Sequence, residues 1–179
     1  MMYTRFVTLF VILLVPVTIH AQTETRRPPG STTGTDEIKK DEAEIRQLLD
    51  RWAKAFHDKD VNGIMSIYAP GVVAYDIVPP LQYVGADAYR KDYEKFLAQY
   101  EGPIEIEFRD VNIVAGGNVA YAIALERISG TLKNGQKSDV WVRATSCFRK
   151  INGKWLDTHD HISVPADFET GKALLDLKP

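Results

Sequence analysis

The sequence predicts an α+β domain in which a curved antiparallel sheet packs on three N-terminal helices. Three observations carry this. Between residues 36 and 100, apolar residues recur at helical spacing in successive stretches. From Ile104 onward the period changes to two. Gly116-Gly117, Asn134-Gly135 and Asn152-Gly153 then separate the alternating segments as hairpin turns. Helices first and a strand meander afterwards give α+β packing rather than alternating βαβ units.

Each element has its own signal. Ile38, Ile45, Leu48, Leu49, Trp52 and Phe56 form one helical stripe with charged residues opposite, and Thr35 or Asp36 can cap its start. "HDKD" breaks the stripe, and Asp60 can cap a short second helix carrying Val61, Ile64, Met65 and Tyr68. "VVAYDI", residues 72–77, reads as a short strand that "VPP" stops, because proline has no N–H for a ladder. After Gly85 a third helix carries Tyr89, Tyr93, Phe96, Leu97 and Tyr100 on one side, read as packing against the sheet. Four strands follow: "IEIEFRDVNIVA", "NVAYAIALERISGT", "SDVWVRATSCFRK" and "KWLDTHDHISV".

The flanks and composition bound the function. Arg5, the apolar run Phe6 to Ile19 and the small Ala21 have the layout of a secretory signal peptide, residues 1–21, so a secreted or periplasmic protein with no stable membrane anchor after cleavage is expected. Residues 22–35 are too polar to offset their ordering entropy and read as a flexible leader. The domain spans 36–166, with a C-terminal tail over 167–179. Lys and Arg number 22 against 24 Asp and Glu, with no basic block, so no nucleic-acid partner is expected. Cys147 is the single cysteine, which excludes an intrachain disulfide and a cysteine zinc site. With no Gly-rich phosphate loop leading from a strand into a helix, no cofactor is expected, and a serine nucleophile elbow is also missing.

"GKWLDTHDHISVP", residues 153–165, and "DVNGIMSIYAPGVVAYD", residues 60–76, carry a family likeness. With the element order, they resemble the SnoaL-like branch of the nuclear transport factor 2-like superfamily, which includes ketosteroid isomerase and the association domain of calcium/calmodulin-dependent kinase II. The resemblance covers residues 38–166. It implies a cone-shaped curved antiparallel sheet wrapped on three N-terminal helices, a pocket between sheet and helices, and a homodimer paired through the outer sheet face.

Alternation sorts the candidate residues. On the last strand Trp155, Asp157, His159, His161 and Ser163 would share one face, and Leu156, Thr158, Asp160, Ile162 and Val164 the other. The preceding strand is apolar or small at Val140, Val142, Ala144, Ser146 and Phe148, which turns the even faces toward the core. Val142, Ala144, Ser146, Thr158, Asp160 and Ile162 are then pocket candidates, joined by the aromatics Trp52, Phe56, Tyr75 and Tyr121. His159 and His161 point outward with Trp141 and Arg143, a composition suited to an interface. Only Asp157 joins the two histidines on that face, so no metal site is expected.

The resemblance adds roles. It places the isomerase's general-base aspartate at Asp76, and it puts Trp52 and Ala144 where that enzyme has its two oxyanion donors, so steroid-type isomerisation is not expected. Inward arginines of the kinase domain are replaced by Ile123, Ser146 and Ile162, which makes the pocket more apolar. Asp160 remains as an inward carboxylate that could serve as an acid–base group or hold a ligand hydroxyl or amine. The leading expectation is an exported domain that binds a small, mostly apolar molecule. Alternatives are an acid–base isomerase, dehydratase or cyclase using Asp76 or Asp160, and a structural dimerisation module.

Overall fold

The structure, a computed structural model, describes residues 32–179. The expected signal peptide, 1–21, and the leader up to residue 31 lie outside the described residues. Helix α1, Thr32–His57, begins ahead of the expected domain start at residue 36 and buries Ile45, Leu48, Leu49, Trp52 and Phe56. The chain reverses at Lys59, which takes a left-handed φ of 57° and donates from Nζ to Tyr100 O at 2.7 Å. Helix α2, Val61–Met65, is capped by the Asp60 carboxylate, which accepts from Asn62 N at 3.0 Å. Then come strand β1, Tyr68–Tyr75, the two-residue strand β2, Tyr83–Val84, and helix α3, Ala86–Leu97. The meander is β3, Tyr100–Gly116, β4, Val119–Leu132, β5, Lys137–Ile151, and β6, Lys154–Ser163. At the last hairpin Asn152 and Gly153 both have positive φ, 50° and 79°, the conformation that Asn-Gly supplies at a two-residue turn.

The six strands are ordered β2-β1-β6-β5-β4-β3. This corrects the expectation of a cone-shaped antiparallel sheet: the sheet is mixed and open, neither curled nor closed, with β2 and β3 as unpaired edges. β1 lies parallel to β6, in register at Val73↔His159, Ala74↔Asp160 and Tyr75↔His161. Hairpin signals cannot announce such a pair, because α3 and the rest of the meander intervene between its partners.

The helices cover one face of the sheet. Val72, Ala74, Ile104, Phe148 and Trp155 from the strands meet the α1 stripe and Tyr89 of α3. One polar group is held inside this layer. Asp41 of α1 is buried, accepts from Trp155 Nε1 at 3.2 Å and pairs with Lys150 Nζ, tying the helix to β5 and β6. The tail turns back: Ala166 bridges Ala173, and Lys178 Nζ reaches Asp139 Oδ2 at 3.0 Å. No described helix is long and apolar enough to cross a membrane.

Candidate functional site

Small side chains on the inner sheet face leave room for a cavity. Ala122 and Ala124 of β4 stand beside Ser146 and Ala144 of β5 in register, where larger residues would fill the space under the helices. The cavity of about 100 Å³ lies between these positions and α1, α3 and β1. Aromatic rings line it from four elements: Trp52 and Phe56 from α1, Tyr68 from β1, Tyr89, Tyr93 and Phe96 from α3, and Phe108 from β3. The partly exposed Ile77 and Val78 stand at its rim.

Asp160 is the polar centre. Its Oδ1 accepts from Ser146 Oγ at 3.0 Å, and its Oδ2 accepts from the Tyr68 and Tyr89 hydroxyls, each at 3.2 Å. The Tyr93 hydroxyl completes the group, 2.6 Å from that of Tyr68 and donating to that of Tyr89 at 3.3 Å. Burial raises the Asp160 carboxyl above the usual range, and the hydroxyl donors pull against it. Burial also holds the three phenols well above their ordinary value, so they stay neutral donors.

Asp76 shares this network. Its Oδ1 accepts from Ile77 N at 2.6 Å and its Oδ2 from the Tyr89 hydroxyl at 3.3 Å. One phenol therefore stands between two carboxylates, and its single proton serves one of them at a time. Burial, then the neighbouring Asp92, pushes Asp76 up to about 6. Asp92 is itself engaged by the Tyr83 hydroxyl at 2.7 Å. On the sheet side Glu126 is 4 % exposed, and burial followed by repulsion from Asp160 and Asp76 pushes it up to about 8.

The sequence-predicted residues separate into groups. Trp52, Phe56, Asp76, Ala144, Ser146, Asp160 and Ile162 all line the cavity. Tyr75, Tyr121 and Ile123 do not: they are exposed on the opposite sheet face, because the inward parity of β4 is Ala120, Ala122, Ala124, Glu126. Val142 is buried but outside the cavity wall. Thr158 is also outside it, since its hydroxyl turns to Cys147 O at 3.0 Å. That residue is the extra one of a β-bulge, for Cys147 pairs with His159 and Phe148 with Asp157. The bulge resets the alternation, so Trp155 and Asp157 are buried rather than sharing the histidine face.

The outer face holds the remainder. His159 Nδ1 donates to Val73 O at 2.8 Å, His161 is exposed, and Tyr75 packs edge-on against both rings at 4.8 and 5.6 Å. Arg143 is exposed and Trp141 half-buried on β5. Among the described residues no group of three His, Cys, Asp or Glu side chains is placed to hold a metal.

Sequence reasoning missed the phenol cluster and Glu126. Nothing in the α3 stripe distinguishes hydroxyls that converge on a carboxylate from rings that merely pack. Glu126 did leave a signal: it is the one acid on the otherwise apolar parity Ala120, Ala122, Ala124, Ile128.

A SnoaL-like domain profile matches residues 45–167, and the chain belongs to this family. An NTF2-like protein of unknown function from Pseudomonas putida KT2440 is 38% identical, with 79% of this chain and 98% of that one covered and a TM-score of 0.72. Two more distant structures share the fold. One, provisionally named an NTF2-family dehydratase from Streptomyces avermitilis, is 19% identical over 70% of this chain and 97% of that one, TM-score 0.62. The other, provisionally named a calcium/calmodulin-dependent protein kinase II association domain from Xanthomonas campestris, is 24% identical over 75% and 88%, TM-score 0.62. No curated protein matches the chain. Family membership and the aromatic cavity define an NTF2-like domain with a small-molecule pocket.

Proposed function

We propose that this pocket is the active site of a cofactor-independent acid–base enzyme, an isomerase or lyase acting on a small, mostly apolar carbonyl compound. The supporting observation is the Tyr89 hydroxyl between Asp76 and Asp160, 3.3 and 3.2 Å away, in one cavity. Asp76, titrating at about 6, is ionised at neutral pH yet basic enough to take a proton from carbon beside a carbonyl. In an isomerisation that proton returns to another carbon of the same molecule. In a dehydration the proton stays on Asp76, while the leaving hydroxide takes one from the Asp160–phenol group and departs as water. Trp52 and Ala144 leave the usual donor positions empty of hydroxyls, but Tyr68, Tyr89 and Ser146 bring O–H groups to the same space. The dehydratase name of the Streptomyces relative is consistent with this class.

Turnover of a panel of β,γ-unsaturated ketones and β-hydroxyketones tests the proposal. Asp76→Asn is expected to lower kcat by about 10²-fold or more with an unchanged melting temperature. The wild-type kcat/KM is expected to rise through about pH 6 as Asp76 ionises. If Asp76→Asn and Asp160→Asn both keep full turnover, the acid–base reading fails. Absence of turnover with an apolar molecule retained through purification would favour non-catalytic binding, the reading supported by the aromatic wall alone.

We further propose that two copies pair through the outer sheet face, where Tyr75, Val114, Tyr121 and Ile123 are exposed together. Export is proposed on the pattern of Arg5, Phe6 to Ile19 and Ala21. N-terminal sequencing of protein recovered from outside the cytoplasm checks it, with residue 22 expected first.

A further inference from the structure

We propose that the ligand of this cavity carries a positive charge on an apolar body, and that Glu126 is the carboxylate that meets it. The inference rests on reading the cavity as a substrate site and adds the chemical class of what enters.

Glu126 stands on the inner face of β4, in register with Phe108 on one side and Val142 on the other. It is 4 % exposed and lines the cavity, and no hydrogen bond from a described residue acts on its carboxyl, which burial and the neighbouring acids alone perturb. Asp160 has three hydroxyl donors, and Asp76 has a backbone N–H and a phenol. Glu126 has nothing comparable. A buried carboxyl without a partner is costly. Asp157 of β6 is also buried with both oxygens unpartnered, but it lies outside the cavity wall, whereas Glu126 lines it.

The surrounding groups define what would pair with Glu126. Titratable side chains come from every element bordering the cavity on the other side: Asp76 after β1, Tyr68 on β1, Asp92, Tyr89 and Tyr93 on α3, and Asp160 on β6. The cavity residues of α1, β3 and β5 are Leu49, Trp52, Phe56, Phe108, Ala144 and Ser146, none charged. Four acids and no Lys, Arg or His therefore line the space. An anionic ligand would meet repulsion throughout. A neutral one would leave Glu126 unpaired, its carboxyl pushed up to about 8 first by burial and then by repulsion from Asp160 and Asp76. A cation relieves that repulsion.

The aromatic wall suits the same ligand. Trp52 lies 4.9 Å from Phe56 and 6.2 Å from Phe108 between ring centroids, and Phe56 lies 5.9 Å from Tyr93. Ring faces attract organic cations, more strongly where water is excluded. A small amine or quaternary ammonium compound satisfies Glu126 and these rings together.

Two probes of nearly the same shape, phenyltrimethylammonium and tert-butylbenzene, test this on the whole protein, with binding followed by tryptophan fluorescence because Trp52 forms part of the wall. Phenyltrimethylammonium keeps its charge at every pH, so only the protein titrates. The cation is expected to bind at least tenfold tighter than its neutral counterpart at pH 9. Its affinity is expected to rise about tenfold between pH 7 and 9, as a group near 8 ionises, while tert-butylbenzene stays flat. Glu126→Gln is expected to abolish the rise and lower cation affinity at pH 9 at least tenfold. Glu126→Asp, keeping the charge, is expected to retain the preference, which separates charge from folding. Equal or tighter binding of tert-butylbenzene to the wild type at pH 9, or an unchanged rise in Glu126→Gln, overturns the proposal. Neither probe can be turned over. Loss of cation preference with Asp76-dependent turnover intact therefore sinks this inference alone, and cation binding without any turnover sinks only the enzymatic reading.

Discussion

Glu126 shows at the scale of one residue how a site costs stability. Its carboxyl moves from the usual 4.5 to about 8 on folding, so the folded chain holds the proton more tightly than the unfolded one. Stability referred to this group is then greatest below about pH 4.5 and declines as pH rises toward and through 8, where the buried charge must form. The full difference is on the order of a few kcal/mol. Glu126→Gln removes the titration and keeps the shape. In urea unfolding it is expected to match the wild type near pH 4 and to exceed it by a few kcal/mol at pH 9. An unchanged gap between the two pH values would mean that Glu126 is solvated after all. The position was legible in the sequence as an acid on an apolar parity. Its missing partner was not, because hydrogen-bond satisfaction depends on what α1 and α3 bring across, and no local pattern records that.

At the scale of the element, β6 shows where alternation reads correctly and where it fails. From His159 to Ile162 the expected faces hold, with Asp160 inside and His161 outside. Before the bulge at Thr158 they reverse, and Trp155 and Asp157 go in. A period-two pattern has no way to announce an extra residue, since each half still alternates. The reversal places Trp155 against α1, where its Nε1 shares the Asp41 carboxylate with Lys150. This polar tie compensates for burying an indole N–H and a carboxylate together. Asp41→Ala leaves the indole unpaired in a buried layer and is expected to cost about 1–3 kcal/mol, read as a lower urea midpoint. Asp41→Asn, which keeps an acceptor for Trp155, is expected to lose less. Equal losses in the two variants would show that the indole bond contributes nothing. The turn and the cap were legible because they are local: Asn152-Gly153 and Asp60 each act within a few residues. The bounds of β1 were not: it runs Tyr68–Tyr75 rather than 72–77, starting at a residue expected on the second helix and ending before the prolines. The two-residue β2 and the parallel β1–β6 pairing are set by tertiary docking and leave no local trace.

At the scale of the molecule the two sheet faces divide the work. The inner face carries the acids and small residues of the cavity, while the outer face carries a belt that runs across five strands, β3, β4, β5, β6 and β1. Ile123, Thr145, His161 and Tyr75 stand in one register row, and Val114, Tyr121, Cys147, His159 and Val73 in the next. Tyr121, Ile123 and Tyr75 are each about two-fifths exposed, an apolar patch of the kind that marks an association surface. Charge substitution at its centre tests the proposed pairing. In sedimentation at micromolar concentration the wild type is expected at twice the chain mass, and Tyr121→Glu or Ile123→Glu at the single mass with an unchanged melting temperature. A wild type that stays single at millimolar concentration would remove the dimer. Because the cavity is built from the opposite face of one chain, the dissociated variants are expected to retain the full turnover per chain and the full cation preference. Coupled loss of assembly and turnover would mean instead that a partner's residues help to build the pocket.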